Sequence, residues 1–130
     1  MARSAIVWFD LPVTDMERAR RFYAEVLGAE VPLMEGSDGR VALFPMDPDG
    51  EVGGDLALAD EPAQGLTTVP GTQGATVYFD GGPDLQIVLD RVEPAGGKVL
   101  QPKAFMGEQI GYIAFFLDSE GNRVGVHSRA

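Results

Sequence analysis

The chain contains two copies of one sequence pattern, separated by about 70 residues. Asp47-Pro-Asp-Gly50 recurs as Asp118-Ser-Glu-Gly121, and Ile6-Val-Trp-Phe-Asp10 recurs as Ala75-Thr-Val-Tyr-Phe-Asp80. A repeat of this length is one supersecondary unit, which by itself leaves an apolar face uncovered. The pattern therefore predicts two similar units that pack together within the 130 residues.

The first copy is typical of a strand, a helix and three further strands. Thr14-Asp-Met-Glu17 has the form of a capping box, in which the Thr14 hydroxyl accepts a hydrogen bond from the backbone N–H of Glu17. Gly28 is a natural helix end, because glycine tolerates the left-handed conformation. The four predicted strands cover residues 5–12, 30–34, 40–45 and 52–59.

The second copy predicts the same order of elements. Pro83-Asp84 begins its helix, and Gly96-Gly97 follows the helix end. One face of this helix carries the apolar residues Leu85, Val88, Leu89 and Val92. The four strands are predicted near residues 76–80, 98–102, 111–117 and 122–127.

Together these elements predict an α+β fold with one domain over residues 1–130. It consists of two βαβββ modules, at about 1–59 and 75–130, joined by a Gly-, Pro- and Thr-rich linker at 60–74. Each module has one helix to cover one face of its sheet. The uncovered faces are expected to form an open eight-stranded barrel-like sheet around a concave groove, which is the expected ligand site.

Composition narrows the classes of partner. Acidic residues outnumber basic ones 20 to 10, and the net charge of −10 disfavours nucleic acid and anionic membranes and favours cationic ligands. The lack of cysteine excludes disulfides, iron–sulfur clusters and thiol catalysis. No apolar run approaches the ~20 residues of a membrane-spanning helix. The first residues do not resemble a signal peptide, so a cytoplasmic protein is expected.

Alternation along the strands predicts which side chains face the groove. The core side is expected to hold Phe9, Leu11, Val77, Phe79, Val124 and Val126. The groove side, and therefore the set of candidate ligand contacts, comprises Trp8, Asp10, Thr76, Tyr78, Asp80, Arg123, Gly125 and His127. Thr76 and Gly125 are small and are expected to leave a hollow, beside which Trp8 forms a flat wall.

Several of these side chains allow two interpretations. His127, the only histidine, is either a polar residue near a strand end or a groove-facing general base paired with Tyr78. Asp10 and Asp80 occupy matching positions, as solvated carboxylates or as a pair of anionic ligand contacts. Trp8 either packs in the core or stacks on a flat ligand.

Residues 13–28 and 116–127, with Phe22-Tyr23 and Asp118-Ser-Glu-Gly121-Asn122 at their centres, resemble the vicinal oxygen chelate superfamily. That superfamily includes glyoxalases, extradiol dioxygenases, and fosfomycin and bleomycin resistance proteins. The resemblance covers nearly the whole chain, and it implies the paired-module fold and a ligand in the groove between the modules.

The resemblance also implies a divalent metal at four strand positions, which fall on Trp8, Gly54, Thr76 and Gly125. None of these is a histidine, glutamate or glutamine, so no metal cofactor is expected. A site moved two residues along each strand would use Asp10, Tyr78 and His127. The pseudo-twofold relation between the modules moves Asp10 away from the other two, which disfavours that alternative.

The function implied by the resemblance is that of a glyoxalase/bleomycin-resistance-like protein that binds a small molecule without the usual metal ligands. The alternative is a lyase or dioxygenase-type enzyme, either metal-dependent or using His127 and Tyr78 as acid–base groups. The resemblance further implies a homodimer. Phe105 and Met106, in a loop predicted over residues 104–109, either cap the groove or meet a second subunit. In the second case they form the expected contact surface together with Leu66 and Val69.

Overall fold

Two mixed sheets, one from each copy of the repeat, make up the framework of the protein. The computed structural model describes residues 5–50, 52–59 and 69–130. In chain order the elements are β1 (Trp8–Val13), α1 (Met16–Leu27), β2 (Val41–Leu43), β3 (Gly53–Leu58), β4 (Tyr78–Asp80), α2 (Leu85–Leu89), β5 (Lys98–Phe105), β6 (Tyr112–Leu117) and β7 (Arg123–Ser128). In the described ranges, neither helix is long and apolar enough to cross a membrane.

Both sheets follow one plan, in which the first strand of a module pairs in parallel with its last strand. The strand order is β1-β3-β2 in the first sheet and β4-β7-β6-β5 in the second. The pairs β1–β3 and β4–β7 are parallel and the others antiparallel. Two mixed sheets of three and four strands thus stand where one eight-stranded barrel-like sheet was expected, and no ladder closes them over the described residues.

The strand predicted at residues 30–34 is reduced to a single bridge between Leu33 and Ala42. Pro32 accepts a hydrogen bond from the backbone N–H of Leu43 at 2.8 Å but has no N–H to donate in return. The N–H of Met34 reaches the Val41 carbonyl at 2.8 Å, and a turn follows. Proline therefore prevents a continuous ladder, although the segment runs beside β2.

The N-cap of α1 is Asp15, whose side chain accepts from the backbone N–H of Arg18 at 3.0 Å. The predicted capping box at Thr14 and Glu17 was wrong. The Thr14 hydroxyl instead donates to the carboxylate of Glu120 at 3.0 Å, which arrives from the turn between β6 and β7. A tertiary contact has displaced the local one, while Gly28 ends the helix at φ 70° as expected.

The core lies between the helices and the sheets and includes side chains of both modules. The predicted core residues Leu11, Phe79, Val124 and Val126 are buried, and Phe9 and Val77 pack against them. The ring of Tyr23 on α1 lies 5.1 Å from that of Phe44 in the first module and 5.3 Å from that of Phe79 in the second. One aromatic cluster therefore joins the two copies.

The loop predicted over residues 104–109 is shorter, because β5 continues to Phe105. Ala104 pairs with Ile113, and Phe105 pairs with Tyr112. Pro102 falls where the ladder shifts register, on a strand at the sheet edge, where a missing N–H is tolerated.

Candidate functional site

The register of the parallel strand pairs determines which groove residues are neighbours. Opposite residues of paired strands project to the same face of a sheet. The opposed pairs on the face away from the core are Trp8 with Gly53, Asp10 with Asp55, Tyr78 with Gly125, and Asp80 with His127. The two parallel ladders therefore match position by position, so that Trp8 occupies the position of Tyr78 and Asp55 the position of His127.

Two of the four implied metal positions differ from the prediction, Gly54 in the face that it occupies and Thr76 in its neighbour. Gly54 is opposite Phe9, and a Cβ atom there would overlap the Phe9 ring, so this position faces the core and the groove residue is Gly53. Gly125 lies beside Tyr78 rather than Thr76. Thr76 instead accepts a hydrogen bond from Arg123 Nη2 at 2.5 Å. A shift of one residue in register changes the face of every side chain, which explains why Gly53 rather than Gly54 lies on the groove face.

In each module an aromatic ring covers the glycine beside it. A Cβ atom on Gly53 would lie 2.8 Å from Trp8 Cζ3, and one on Gly125 would lie 2.5 Å from Tyr78 Cδ1. The hollow predicted at Gly125 is consequently filled by the Tyr78 ring. Trp8, at 44% exposure, and Tyr78, at 48%, both present the outer side of the ring to solvent.

A pocket of about 560 Å³ opens at the end of the second sheet. Its lining consists of Tyr78, Phe79, Asp80, Met106, Ile110, Ile113 and His127. The strands β4 and β7 supply the polar side chains. Met106 and Ile110, in the segment between β5 and β6, form an apolar wall with Ile113 of β6. The sequence predicted Tyr78, Asp80 and His127 as contacts. Ile110 was missed because its proximity depends on how that segment folds back, and Ile113 because it depends on the pairing of β6 with β7, in which Ile113 is opposite His127.

His127 makes its hydrogen bond within this pocket. Its Nε2 lies 2.5 Å from the carbonyl oxygen of Ile110. A carbonyl only accepts, so Nε2 carries a proton and Nδ1 of the neutral ring is the acceptor. His127 and Tyr78 line the same pocket, but the histidine bonds to the backbone of Ile110 rather than to the phenol.

A second depression, of about 360 Å³, lies between β1 and the segment before β4. Asp10 lines one part of it, and Arg123 lines another. The guanidinium carbon of Arg123 also lies 5.6 Å from the centre of the Phe115 ring. The predicted contacts therefore divide between two places: Tyr78, Asp80 and His127 in the larger pocket, and Asp10 and Arg123 in the smaller.

Asp55 is a groove residue that the sequence analysis missed. It is only 7% exposed, and its Oδ2 accepts from Trp8 Nε1 at 3.2 Å. Burial, followed by the hydrogen bond and charge of Asp10, raises the pKa of Asp55 to about 7, against the opposing effect of the Trp8 hydrogen bond. The sequence repeat does not find it, because the turns at Asp47 and Asp118 align Asp55 with the core residue Val126. Only the pairing of β1 with β3 places Asp55 opposite Asp10 on the groove face.

The donor set does not fit the divalent metal that the resemblance implies. The paired positions Trp8–Gly53 and Tyr78–Gly125 offer an indole, a phenol and two glycines, none of which is an ordinary metal ligand. Within the part of the chain that the structure describes, no group of three or more acidic or histidine side chains could hold an ion. The expectation that the protein carries no metal cofactor stays a prediction.

Comparison with known proteins places this fold and sequence in one family. The family model described as Glyoxalase/Bleomycin resistance protein/Dioxygenase superfamily matches residues 5–126. CFP32 of Mycobacterium tuberculosis (strain CDC 1551 / Oshkosh) is 26% identical over 121 residues, which are 92% of this chain. The chain spans only 43% of the length of that relative.

Two solved structures have the same fold. The glyoxalase/bleomycin resistance protein from Albidiferax ferrireducens T118 superposes with a TM-score of 0.72 at 18% identity, covering 95% of this chain and 97% of that one. TnmS3, an antibiotic binding protein from Streptomyces sp. CB03234, has a TM-score of 0.59 at 25% identity, covering 98% and 97%. The chain therefore belongs to the glyoxalase/bleomycin resistance protein/dioxygenase superfamily.

Proposed function

We propose that this protein binds a small molecule on its groove face and acts as a binding or sequestering protein of the glyoxalase/bleomycin-resistance type. The observation that carries the proposal is the pocket lined by Tyr78, Asp80 and His127. Its volume of about 560 Å³ lies within the range of small-molecule sites. An apolar wall of Met106, Ile110 and Ile113 with a few convergent polar groups is the usual composition of such sites.

The charge of the protein supports a cationic ligand. The net charge is −10, and the pocket contains the carboxylate of Asp80. Acidic surroundings raise the local concentration of cations and speed their association. The similarity to TnmS3, whose described role is to bind an antibiotic, supports the same class of function here.

The direct test is a binding titration measured by calorimetry, with bleomycin as the first cationic antibiotic probe. Ile110→Lys places a positive charge at the pocket wall and is expected to weaken binding at least tenfold. Ile87→Lys is the matched control, because Ile87 is also 48% exposed but lies on α2, away from the pocket. Equal affinity of Ile110→Lys and wild type for every bound ligand would exclude the pocket as the site.

The second candidate is a lyase or dioxygenase-type enzyme in which His127 and Tyr78 are acid–base groups. The observation that favours it is the hydrogen bond from His127 Nε2 to the Ile110 carbonyl, which leaves Nδ1 as the free acceptor. Assay of glyoxalase turnover, with and without added divalent metal, tests this alternative. Turnover that His127→Gln abolishes, while Ile87→Lys retains it, would favour the enzyme over the binding protein.

A further inference from the structure

Asp10 and Asp55 form a pair of carboxyl groups on the groove face of the first sheet. They are directly opposite each other in the parallel ladder of β1 and β3, where neighbouring strands lie about 4.8 Å apart. Asp10 is exposed, and Asp55 is 7% exposed. The pair therefore has one carboxyl group in solvent and one behind it.

The buried member of the pair lacks a partner for one oxygen. Asp55 Oδ2 accepts from the indole N–H of Trp8. Asp55 Oδ1 is buried and has no hydrogen-bond donor among the described residues while both carboxyl groups are ionised, and a hydrogen bond with Asp10 forms only when one of the two is protonated. Buried polar atoms are almost always satisfied, and an ionised carboxylate only accepts. Two adjacent carboxylates consequently need a proton or a positively charged group between them.

We propose that Asp10 and Asp55 form a subsite for a ligand ammonium group, which replaces one proton that the two carboxyl groups share when the subsite is empty. The exchange is balanced in charge: the singly protonated pair binds one cation and releases one proton to solvent. The rest of such a ligand would extend into the depression of about 360 Å³ that Asp10 lines.

An ammonium group fits this subsite better than a metal ion. Calcium takes six to eight oxygen ligands and magnesium requires a near-octahedral set. Here the side-chain oxygens come from two aspartates, and no third acidic or histidine side chain joins them in the described part of the chain. An ammonium needs only hydrogen-bond acceptors, which the exposed carboxylate of Asp10 supplies, while the buried Asp55 behind it contributes its negative charge.

The titration of Asp55 agrees with this geometry. Burial and Asp10 raise its pKa to about 7. Asp10 on β1 is the titratable group that faces it. On the other side Leu43 of β2 is its apolar neighbour in the ladder, and Trp8 donates to it. The affinity for a cation is therefore expected to fall about tenfold for each pH unit below about 7, and to level off above it.

Trp8 is the only tryptophan, and its indole N–H donates to Asp55, so tryptophan fluorescence reports the surroundings of this carboxyl group. We expect the fluorescence of the ligand-free protein to change through one transition near pH 7. Asp55→Asn, which keeps the shape of the side chain, should abolish the transition. Asp80→Asn, which removes the second module's counterpart of Asp10, should retain the transition. A wild-type protein without a transition between about pH 5 and pH 8 would overturn the proposal.

The cation itself is tested with benzylammonium and its neutral counterpart benzyl alcohol, with binding followed by Trp8 fluorescence and by calorimetry in two buffers. Benzylammonium should bind more tightly as the pH rises, and its binding below pH 7 should release about one proton from the protein. Asp10→Asn and Asp55→Asn should each weaken it at least tenfold. Equal binding of benzyl alcohol, or no binding of benzylammonium at any pH, would contradict the proposal.

This subsite lies on the first sheet, and the pocket of the proposed function lies on the second. The two proposals therefore fail separately. Loss of benzylammonium binding in Asp55→Asn but not in Ile110→Lys is the expected result for the subsite. The converse result would assign cation binding to the larger pocket and overturn the subsite.

Discussion

The ring of Tyr78 lies on Gly125, one of the four positions at which the resemblance implies a metal ligand. A Cβ atom at residue 125 would come within 2.5 Å of Tyr78 Cδ1, and Trp8 covers Gly53 in the same way in the first module. Each glycine thus leaves room for the ring above it. Each aromatic–glycine pair presents a flat, half-exposed ring on the groove face.

Gly125→Ala is therefore expected to displace Tyr78 rather than to fill a hollow. Because Tyr78 is half-exposed, its ring can turn away, at an expected loss of about 1–3 kcal/mol in unfolding free energy. The turned ring should also weaken ligand binding in the pocket that it lines. Gly71→Ala is the control, since a Cβ there meets open space. Urea denaturation showing equal stability for both variants would contradict this account.

Tyr23→Phe should destabilise the protein by about 1–3 kcal/mol, because it removes a donor from a buried carboxylate. The Tyr23 hydroxyl donates to Asp118 Oδ2 at 2.6 Å, and both residues are buried. This bond connects α1 to the turn between β6 and β7. Tyr112→Phe, at a partly buried ring packed on Phe105, is the control and should be nearly neutral. Chemical denaturation at neutral pH measures both.

Glu120→Gln should destabilise the protein at neutral pH, with a deficit that disappears in acid. Burial disfavours ionisation of Glu120, but hydrogen bonds from Arg18, the Asp15 backbone and Thr14 outweigh it and lower its pKa to about 2. A carboxyl group with a lowered folded-state pKa stabilises the fold above its unfolded pKa of about 4.5 and loses that effect as the pH falls through about 2.

The measurement is the difference in unfolding free energy between wild type and Glu120→Gln across this pH range. It should be largest above about pH 5 and shrink towards pH 2. Glu25→Gln, at an exposed position on α1, is the control and should give a small difference at every pH. A deficit that is constant with pH would show that Glu120 acts through shape rather than charge.

We propose that the protein is a homodimer, with Phe105 and Met106 in the contact surface. Their side chains are 58% and 48% exposed, and Val69 is 74% exposed. Leu66, also predicted for this surface, lies outside the described residues. Light scattering should give twice 13.9 kDa, and Phe105→Lys, but not Ile87→Lys, should lower it. A mass of 13.9 kDa for the wild type at micromolar concentration would contradict the dimer.

The purified protein is expected to contain no stoichiometric divalent metal. The reason is the donor set, because Trp8, Gly53, Tyr78 and Gly125 provide no carboxylate or imidazole. A chelator should leave the melting temperature unchanged. Elemental analysis that finds one metal per chain, lost in His127→Gln, would contradict this prediction and support a relocated site.

The repeat and the alternation of residue types were sufficient to predict much of the framework. Leu11, Phe79 and Val126 were assigned to the core because side chains alternate along a strand, whatever its partner. Helical spacing likewise predicted the buried residues Leu85, Val88 and Leu89 of α2, although the helix ends at Leu89 and Val92 is buried in the turns that follow. Alternation also predicted that Tyr78 and His127 share the groove side. They lie on β4 and β7, which are paired strands of the second module.

Other features depended on contacts between distant segments. Gly54 and Gly53 exchange faces with a one-residue change in the pairing of β1 and β3, and Thr14 turned from its helix to Glu120, 106 residues away. Burial raises the pKa of Asp55 most, and Asp10, which is opposite it across the sheet, raises it further, whereas the hydrogen bond from Trp8 opposes the rise. Periodicity determines the face of a residue within its own strand, whereas register, ring orientation and burial are determined by what packs against it.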